Sequence, residues 1–149
     1  MKKVPVDELD EALADLTPRP RFRNIKLRTH QKVYFLLMEA LKRFMLLLDM
    51  GGGKTVLVLS LIRYRKQRGE QPCAIVFVPY LTAVETWVDE CAKHTPELTC
   101  VPLLGSSKEN LEAIKHGESD LFVCTYQTAI AFLSTKKKGL DKGKEKVKW

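Results

Sequence analysis

The sequence predicts an α/β fold in which a parallel sheet is covered by helices on both faces. Apolar runs of strand length alternate with helical segments four times, and these runs are unbroken rather than alternating with polar residues. Unbroken apolar runs are typical of strands that are buried on both faces, as in parallel sheets. The predicted strands are residues 44–48, 73–78, 97–104 and 121–125.

The helices are predicted from the spacing of apolar residues and from their start and stop signals. Leu9 and Leu13 share one face of a first helix, and Pro18 lies just beyond its end. Ser106 and Glu109 have the spacing of a capping box, which starts a later helix. The predicted helices are residues 7–16, 30–42, 54–68, 81–91 with Thr82 as its cap, 106–116 and 128–133.

Length, composition and charge limit the class of protein. A chain of 149 residues with 45% hydrophobic residues forms one globular domain with a core, and it is too short for a motor built of two such domains. The net charge of +7 is concentrated in two basic blocks, residues 21–47 and 136–149, which flank a slightly acidic middle. A uniformly basic surface is therefore not expected.

No stretch approaches the roughly 20 apolar residues that a membrane span needs, and residues 1–10 contain no apolar signal-peptide region. We therefore expect no membrane partner and a cytoplasmic location, associated with the nucleoid if the source is a bacterium or phage. The four cysteines include no C-x-x-C pair, which favours free thiols. A metal site of Cys91, His94 and Cys100 is a less favoured alternative, because no fourth ligand is evident.

Residues 49–55, D-M-G-G-G-K-T, lie between a predicted strand and a predicted helix and form a phosphate loop of the Walker A type. Backbone N–H groups of such a turn surround a phosphate at the helix N-terminus, and glycine permits the close approach. Lys54 would supply charge to the β- and γ-phosphates of ATP, and the Thr55 hydroxyl would bind Mg²⁺. The general pattern G-x-x-x-x-G-K-[ST] has Gly where this chain has Leu48, which argues against small P-loop kinases and GTPases.

The motifs of this chain resemble, in order and spacing, the N-terminal part of a Snf-type DNA translocase of helicase superfamily two. Residues 27–31, L-R-T-H-Q, are similar to that family's L-R-x-Y/H-Q element, and residues 49–55 are similar to its D-M-G-x-G-K-T loop. Residues 78–80, V-P-Y, followed by Trp87 and Glu90, resemble its motif Ia.

The last motif, V-C-T-Y at residues 123–126, is similar to the family's V-x-T-T-Y and has Cys124 in place of a Thr. The resemblance covers residues 25–134 and implies a RecA-like ATP-binding domain over residues 21–134, after an N-terminal helix and linker at 1–20 and before a Lys-rich tail or insertion at 135–149.

The resemblance also implies the roles of individual residues. The Gln31 side chain would read the adenine edge of ATP. The expected ligands of ATP and Mg²⁺ are Gln31, Met50, Gly51, Gly52, Gly53, Lys54 and Thr55, with Lys54 and Thr55 catalytic and Thr55 the Mg²⁺ ligand. The expected contacts to DNA, most simply double-stranded DNA, are Pro79, Tyr80, Thr125 and Tyr126.

Hydrolysis of ATP requires a further acid at a strand end that holds Mg²⁺. Only Asp49 is acidic among the predicted strand ends, and it belongs to the phosphate loop. Residues 89–92, D-E-C-A, resemble an acidic D-E-x-x motif of the kind that hydrolysis needs, but they fall on a predicted helix. We therefore expect an incomplete domain with the nucleotide-binding half of the site. The acidic motif and a second RecA-like domain would be its partners, in the same or another chain.

Two other functions stay open. A non-catalytic module would use this fold only to bind DNA or a protein. A small P-loop kinase would need an acceptor-binding Asp-Arg pair and an arginine-bearing lid, and neither is found. For the lysines of residues 136–148, a solvated linker is favoured over a contact with the DNA backbone.

Overall fold

The computed structural model describes residues 5–22, 25–41, 43–71, 73–116 and 118–131. The Lys-rich tail lies outside these residues. None of the helices they form is long and apolar enough to cross a membrane. The helices and strands in chain order are α1 (Val6–Ala14), α2 (Thr29–Ala40), α3 (Lys54–Gln67), β1 (Ala74–Val78), α4 (Leu81–His94), β2 (Cys100–Pro102), α5 (Ser107–His116) and β3 (Leu121–Thr125).

The three strands form a parallel sheet in the order β1-β3-β2. The connections β1-α4-β2 and β2-α5-β3 are therefore helical crossovers, as parallel pairing requires. Four consecutive residues of the central strand, Leu121–Cys124, are fully buried. Because successive side chains of a strand point to opposite faces, both faces of β3 are covered. The predicted α/β class with a parallel sheet is confirmed.

The described residues divide into two compact units. The first contains the chain up to residue 72 together with residues 89–98, and the second contains residues 73–88 and the chain from residue 99 onward. The second unit holds the sheet and a core of Leu103, Phe122, Cys124 and Ala129. Burial raises the pKa of the Cys124 thiol, as expected for a thiol that packs as an apolar group.

The core of the first unit is built around Phe35 of α2. Its ring lies edge-on to Phe22 and Tyr64, with ring centroids 5.3 and 5.7 Å apart, a geometry that aromatic pairs prefer. Phe35 is fully buried and Tyr64 of α3 is 2% exposed. This cluster joins α2 to α3, the helix that begins at the phosphate loop.

A buried arginine fixes α3 to the end of α4 within the first unit. The Arg63 side chain is 2% exposed and forms an ion pair with Glu97. Its Nη2 donates to the carbonyl of His94 at 2.7 Å and to Oε2 of Glu97 at 3.0 Å, and its Nη1 donates to the carbonyl of Arg21 at 3.3 Å. A buried charge is tolerated only with such partners, so Arg63 fixes three chain segments relative to one another.

The capping box predicted at α5 is confirmed. The N–H of Ser106 donates to Oε2 of Glu109 at 2.7 Å, and the N–H of Glu109 donates to the Ser106 hydroxyl at 3.4 Å. The hydrogen bond that the carboxyl accepts from the Ser106 backbone, followed by a side-chain hydrogen bond with Ser106, lowers the pKa of the Glu109 carboxyl. The Asn110 side chain closes the same turn by bonding both the N–H and the carbonyl of Gly105.

Residues 44–48 were predicted as a strand, and that prediction is wrong for the structure as described. They form neither helix nor strand, and they take no part in the sheet. Leu46 and Leu48 pack on the core of the first unit, whereas Met45 and Leu47 are each 78% exposed. The apolar run therefore packs on one side only, and a strand requires a paired neighbour as well as apolar side chains.

Two smaller predictions also fail. Residues 97–104 form a strand only over Cys100–Pro102, because the N–H of Leu98 closes a turn on the carbonyl of Thr95. Thr82 lies inside the first turn of α4 rather than at its cap, and its carbonyl accepts from the Thr86 hydroxyl at 2.9 Å.

We predict that Glu97→Gln lowers the free energy of unfolding by about 1–3 kcal/mol, because it leaves the buried guanidinium of Arg63 without its counter-charge. Glu70→Gln is the matched control. Glu70 is similarly exposed but pairs with the surface residue Arg68, so we expect a change below about 0.5 kcal/mol. Urea unfolding followed by circular dichroism measures both, and equal effects would contradict a structural role for the buried charge.

Candidate nucleotide-binding site

The phosphate loop is a tight turn followed directly by α3. The N–H of Gly52 donates to the carbonyl of Asp49 at 3.1 Å, and Gly51 has a φ of 76°, as the third residue of a type II turn requires. Gly53 has a φ of 83° and precedes the first helical residue, Lys54. Both angles lie in the left-handed region that glycine adopts most readily. The predicted turn into a helix thus exists, although an unpaired segment rather than a strand leads into it.

Lys54 reaches back across the loop. Its Nζ donates to the carbonyl of Leu48 at 2.6 Å and to that of Asp49 at 2.9 Å. A lysine ammonium has three N–H donors, so these two bonds leave one donor for a ligand. The side chain is thereby held over the turn with its charge at the mouth of the loop.

Gln31 contacts the loop from α2. Its Oε1 accepts from the N–H of Arg28 at 2.9 Å, which is the return half of a capping box at the start of α2. Its Nε2 donates to the carbonyl of Gly52 at 3.2 Å, and the residue is 8% exposed. A Cβ placed on Gly53 would lie 2.3 Å from this Nε2. The structure thus brings Gln31 to the phosphate loop, and its reading of adenine stays a prediction.

A cavity of about 340 Å³ opens beside the loop. It is lined by Gly51, Gly53, Lys54, Thr55, Val56 and Glu90. The N–H groups of the first helical turn have no acceptor within the helix, and together with Lys54 they suit an anionic phosphate. The Thr55 hydroxyl is an oxygen ligand of the kind that Mg²⁺ prefers. The residues present therefore fit a triphosphate with Mg²⁺. The Met50 side chain is 99% exposed, so Met50 contributes its backbone to the turn.

Leu48 is the position where this loop departs from the general pattern. Its side chain packs against the core of the first unit. A Cβ on Gly52 would lie 3.0 Å from the Leu48 Cβ and 3.1 Å from the carbonyl of Asp49. The larger residue at position 48 is thus accommodated by a third glycine at position 52.

The predicted DNA-contacting residues lie in the second unit, at the edge of its sheet formed by the carboxyl ends of the strands. Val78 at the end of β1 pairs in register with Thr125 at the end of β3. Pro79 and Tyr80 follow the first strand and Tyr126 follows the second, and the two tyrosines are 64% and 52% exposed. The structure therefore brings these four residues to the same edge, with two exposed aromatic rings.

Thr125 has a structural role that the sequence prediction missed. Its Oγ1 accepts from the N–H of Thr128 at 3.2 Å and lies 3.0 Å from the Thr128 hydroxyl. This is the N-cap arrangement for the helical residues 126–131. The T-x-x-T spacing at residues 125–128 could have indicated it.

The family model of the SNF2-related domain matches residues 29–149. The chain belongs to the SNF2-related domain family. Among curated relatives, the ATP-dependent helicase FUN30 of Saccharomyces cerevisiae is 40% identical over 86 residues, which are 54% of this chain and 8% of that protein. The ATP-dependent helicase fft2 of Schizosaccharomyces pombe is 30% identical over 142 residues, which are 87% of this chain and 11% of that protein.

A phage protein and a solved structure extend the comparison. Putative protein p41 of Acyrthosiphon pisum secondary endosymbiont phage 1 is 29% identical over 93 residues, which are 60% of this chain and 20% of that protein. The Sulfolobus solfataricus SWI2/SNF2 ATPase core in complex with dsDNA matches with a TM-score of 0.61 and 25% identity, over 74% of this chain and 24% of that one. The chain thus spans a quarter or less of each of these proteins.

Membership of the SNF2-related family confirms the resemblance drawn from the four motifs, and the match to the SWI2/SNF2 core confirms the RecA-like fold. Among the residues that line the cavity of this SNF2-related chain, the sequence prediction missed Val56, which follows Thr55 in α3, and the acidic residue Glu90. The sequence placed Glu90 in motif Ia, and nothing in its spacing indicated a place beside the phosphate loop. The described residues contain no group of three or more His, Cys, Asp or Glu that could hold a metal ion.

We predict that Gly53→Ala is more damaging than Gly51→Ala. Both substitutions force a left-handed backbone on alanine, at about 1–2 kcal/mol each, but only the first meets Gln31, since nothing lies within 4 Å of a Cβ on Gly51. We expect an additional loss of about 1 kcal/mol or more in unfolding free energy. In a double-mutant cycle, Gln31→Ala should recover part of it. Equal losses for the two glycines would contradict the contact.

Proposed function

We propose that this chain is the ATP-binding part of a Snf-type, ATP-dependent DNA translocase or helicase, and that it holds ATP with Mg²⁺ at the phosphate loop. The observation that carries the proposal is the cavity in which the Lys54 ammonium and the first turn of α3 meet. The names of the helicase relatives agree with the use of ATP.

In this proposal the chain's own residues bind and orient the nucleotide. When bound, ATP with Mg²⁺ supplies a transferable γ-phosphoryl group. The third N–H of Lys54 and the N–H groups of the first turn of α3 neutralise phosphate charge. Thr55 offers its hydroxyl to Mg²⁺. Gln31 keeps one N–H and one lone pair for the adenine edge, because Oε1 makes one hydrogen bond, with Arg28, and Nε2 makes one, with Gly52.

We further propose that the second unit contacts the DNA backbone through the shared sheet edge of Pro79, Tyr80, Thr125 and Tyr126. The carboxyl ends of parallel strands are the usual ligand side of an open α/β sheet. The solved SWI2/SNF2 neighbour is described as a complex with double-stranded DNA, which supports duplex DNA as the partner. The Thr125 hydroxyl already caps a helix, so its contribution would be to fix the edge and position Tyr126.

This segment is proposed to bind ATP without turning it over by itself. The described strands end at Val78, Pro102 and Thr125, and none of these is an acid that could hold Mg²⁺ for hydrolysis. The acidic motif and a second RecA-like domain would come from the same or another chain. Activity of the whole protein would then be DNA-dependent ATP hydrolysis.

We predict that Lys54→Ala weakens MgATP binding at least tenfold in isothermal titration, because it removes the charge at the mouth of the loop. Lys108→Ala is the matched control. Lys108 is exposed in the first turn of α5 and belongs to the second unit, so its loss should leave the affinity unchanged. DNA-stimulated hydrolysis of ATP by these 149 residues alone, abolished by Lys54→Ala, would contradict the missing acid.

The same titration tests the alternative of a non-catalytic module that binds only DNA or protein. That alternative predicts no ATP affinity in the wild-type chain. The observation that favours nucleotide binding over it is the exposed Lys54 side chain, whose Nζ is hydrogen-bonded back to the carbonyls of Leu48 and Asp49 beside the cavity.

We predict that the double substitution Tyr80→Ala, Tyr126→Ala weakens binding to double-stranded DNA about three- to tenfold. Loss of a tyrosine hydroxyl that hydrogen-bonds a charged backbone phosphate costs roughly 1 kcal/mol or more. Because tyrosine is neutral, the slope of log affinity against log salt should not change. Leu47→Ala, which removes a 78% exposed apolar side chain in the first unit, is the control. An unchanged affinity for the tyrosine variant in fluorescence anisotropy would exclude the sheet edge as the interface.

A further inference from the structure

Glu90 places a carboxylate in the wall of the phosphate-loop cavity. It lies on the part of α4 that belongs to the first unit, and it lines the cavity together with Lys54 and Thr55. Its side chain is 31% exposed. An acidic group in a cavity suited to phosphate needs a physical reason, because it repels the anion that the rest of the site attracts.

The position of Glu90 is fixed by its neighbours on α4 and α3. The Nε2 of His94, one turn further on, lies 3.2 Å from Oε2 of Glu90. The carbonyl of His94 accepts a hydrogen bond from the buried Arg63 of α3 at 2.7 Å. The carboxylate is thus held by a helix end that is attached to α3, the helix that begins at the phosphate loop.

Glu90 is not the counter-ion of Lys54. Two N–H groups of Lys54 donate to backbone carbonyls, and no ion pair joins Lys54 to Glu90 in the described structure. Among the described residues, Oε1 of Glu90 has no hydrogen-bond partner. One carboxylate oxygen therefore stays open while His94 engages the other.

We propose that Glu90 is a specificity-determining residue that makes nucleotide binding depend on a divalent cation. This inference rests on the proposed ATP site. A metal-free triphosphate carries up to four negative charges. A carboxylate in the same cavity repels these charges and weakens binding of the nucleotide. Bound Mg²⁺ would cancel two of those charges, and the Glu90 carboxylate would then accept a hydrogen bond from metal-held water, since Mg²⁺ usually keeps several waters. The same side chain thus opposes the bare nucleotide and favours the metal-bound one.

The role differs from that of a hydrolytic acid. Glu90 would act on the equilibrium between metal-free and metal-bound nucleotide, which is a binding property and needs no turnover. The test can therefore be made by binding alone, with the full 149-residue chain.

The experiment compares Glu90→Gln with Asp89→Asn. Asp89 precedes Glu90 on α4, is exposed, and does not line the cavity, so the control removes the same charge outside the cavity. The dissociation constant of a fluorescent N-methylanthraniloyl ATP is measured in excess Mg²⁺ and in EDTA, and the ratio of the EDTA value to the Mg²⁺ value is compared between variants. Circular dichroism verifies that each variant folds.

We expect Glu90→Gln to lower this ratio about three- to tenfold, mainly through tighter binding in EDTA, and Asp89→Asn to leave it unchanged. A Glu90→Gln ratio equal to that of wild type or of Asp89→Asn overturns the proposal. Equal weakening in both solutions overturns it as well, because that result indicates a structural role through His94.

The same assay tests the proposed ATP site separately from the role of Glu90. If the wild-type chain does not bind the nucleotide in Mg²⁺, the proposed function fails, and the inference about Glu90 fails with it. If wild type binds, Lys54→Ala does not, and Glu90→Gln keeps the wild-type ratio, the ATP site stands and only the role of Glu90 is rejected.

Discussion

The left-handed backbone at Gly53, held against the Gln31 amide, is the constraint on which the candidate site depends. Gln31 bonds the N-terminus of α2 to the carbonyl of Gly52, and a side chain at Gly53 would have to displace the Gln31 amide, because its Cβ would lie 2.3 Å from Nε2. The turn can then pass directly into α3, so Lys54 and Thr55 are the first two residues of that helix. Because the loop is fixed from outside by α2, its N–H groups need no reorganisation to meet an anion.

A second constraint acts further along α3. Arg63 is buried and joins α3 to the carbonyl of His94 and to Glu97. Through His94 this contact extends to Glu90, the acid of the cavity wall. The two sides of the cavity are therefore connected by one helix that is anchored at its start by Gln31 and in its third turn by Arg63. Arg63 does not line the cavity, but it positions residues that do.

The sequence predicted the elements whose signals are local and missed features that depend on distant partners. The phosphate loop and the capping box at Ser106 and Glu109 follow from residue spacing and glycine content, and the strand 121–125 follows from an unbroken apolar run. The structure contains all three. Residues 44–48 have the composition of a strand. Whether they pair depends on a neighbouring strand, and the residue types of the run itself do not reveal one. Arg63 is one of four basic residues at or near the C-terminal end of α3, with Arg65, Lys66 and Arg68, and only its burial distinguishes it from the other three.

Glu90 shows why an acid in the cavity does not complete the hydrolytic site. A hydrolytic acid must hold Mg²⁺ from a rigid strand end and must keep that geometry in the transition state. Glu90 lies on a helix and is partly exposed, and one of its carboxylate oxygens contacts Nε2 of His94. Such a carboxylate acts through its charge on whatever the cavity binds. Under the proposed function, charge selection would fall to this acid on α4, and hydrolysis would need a different acid.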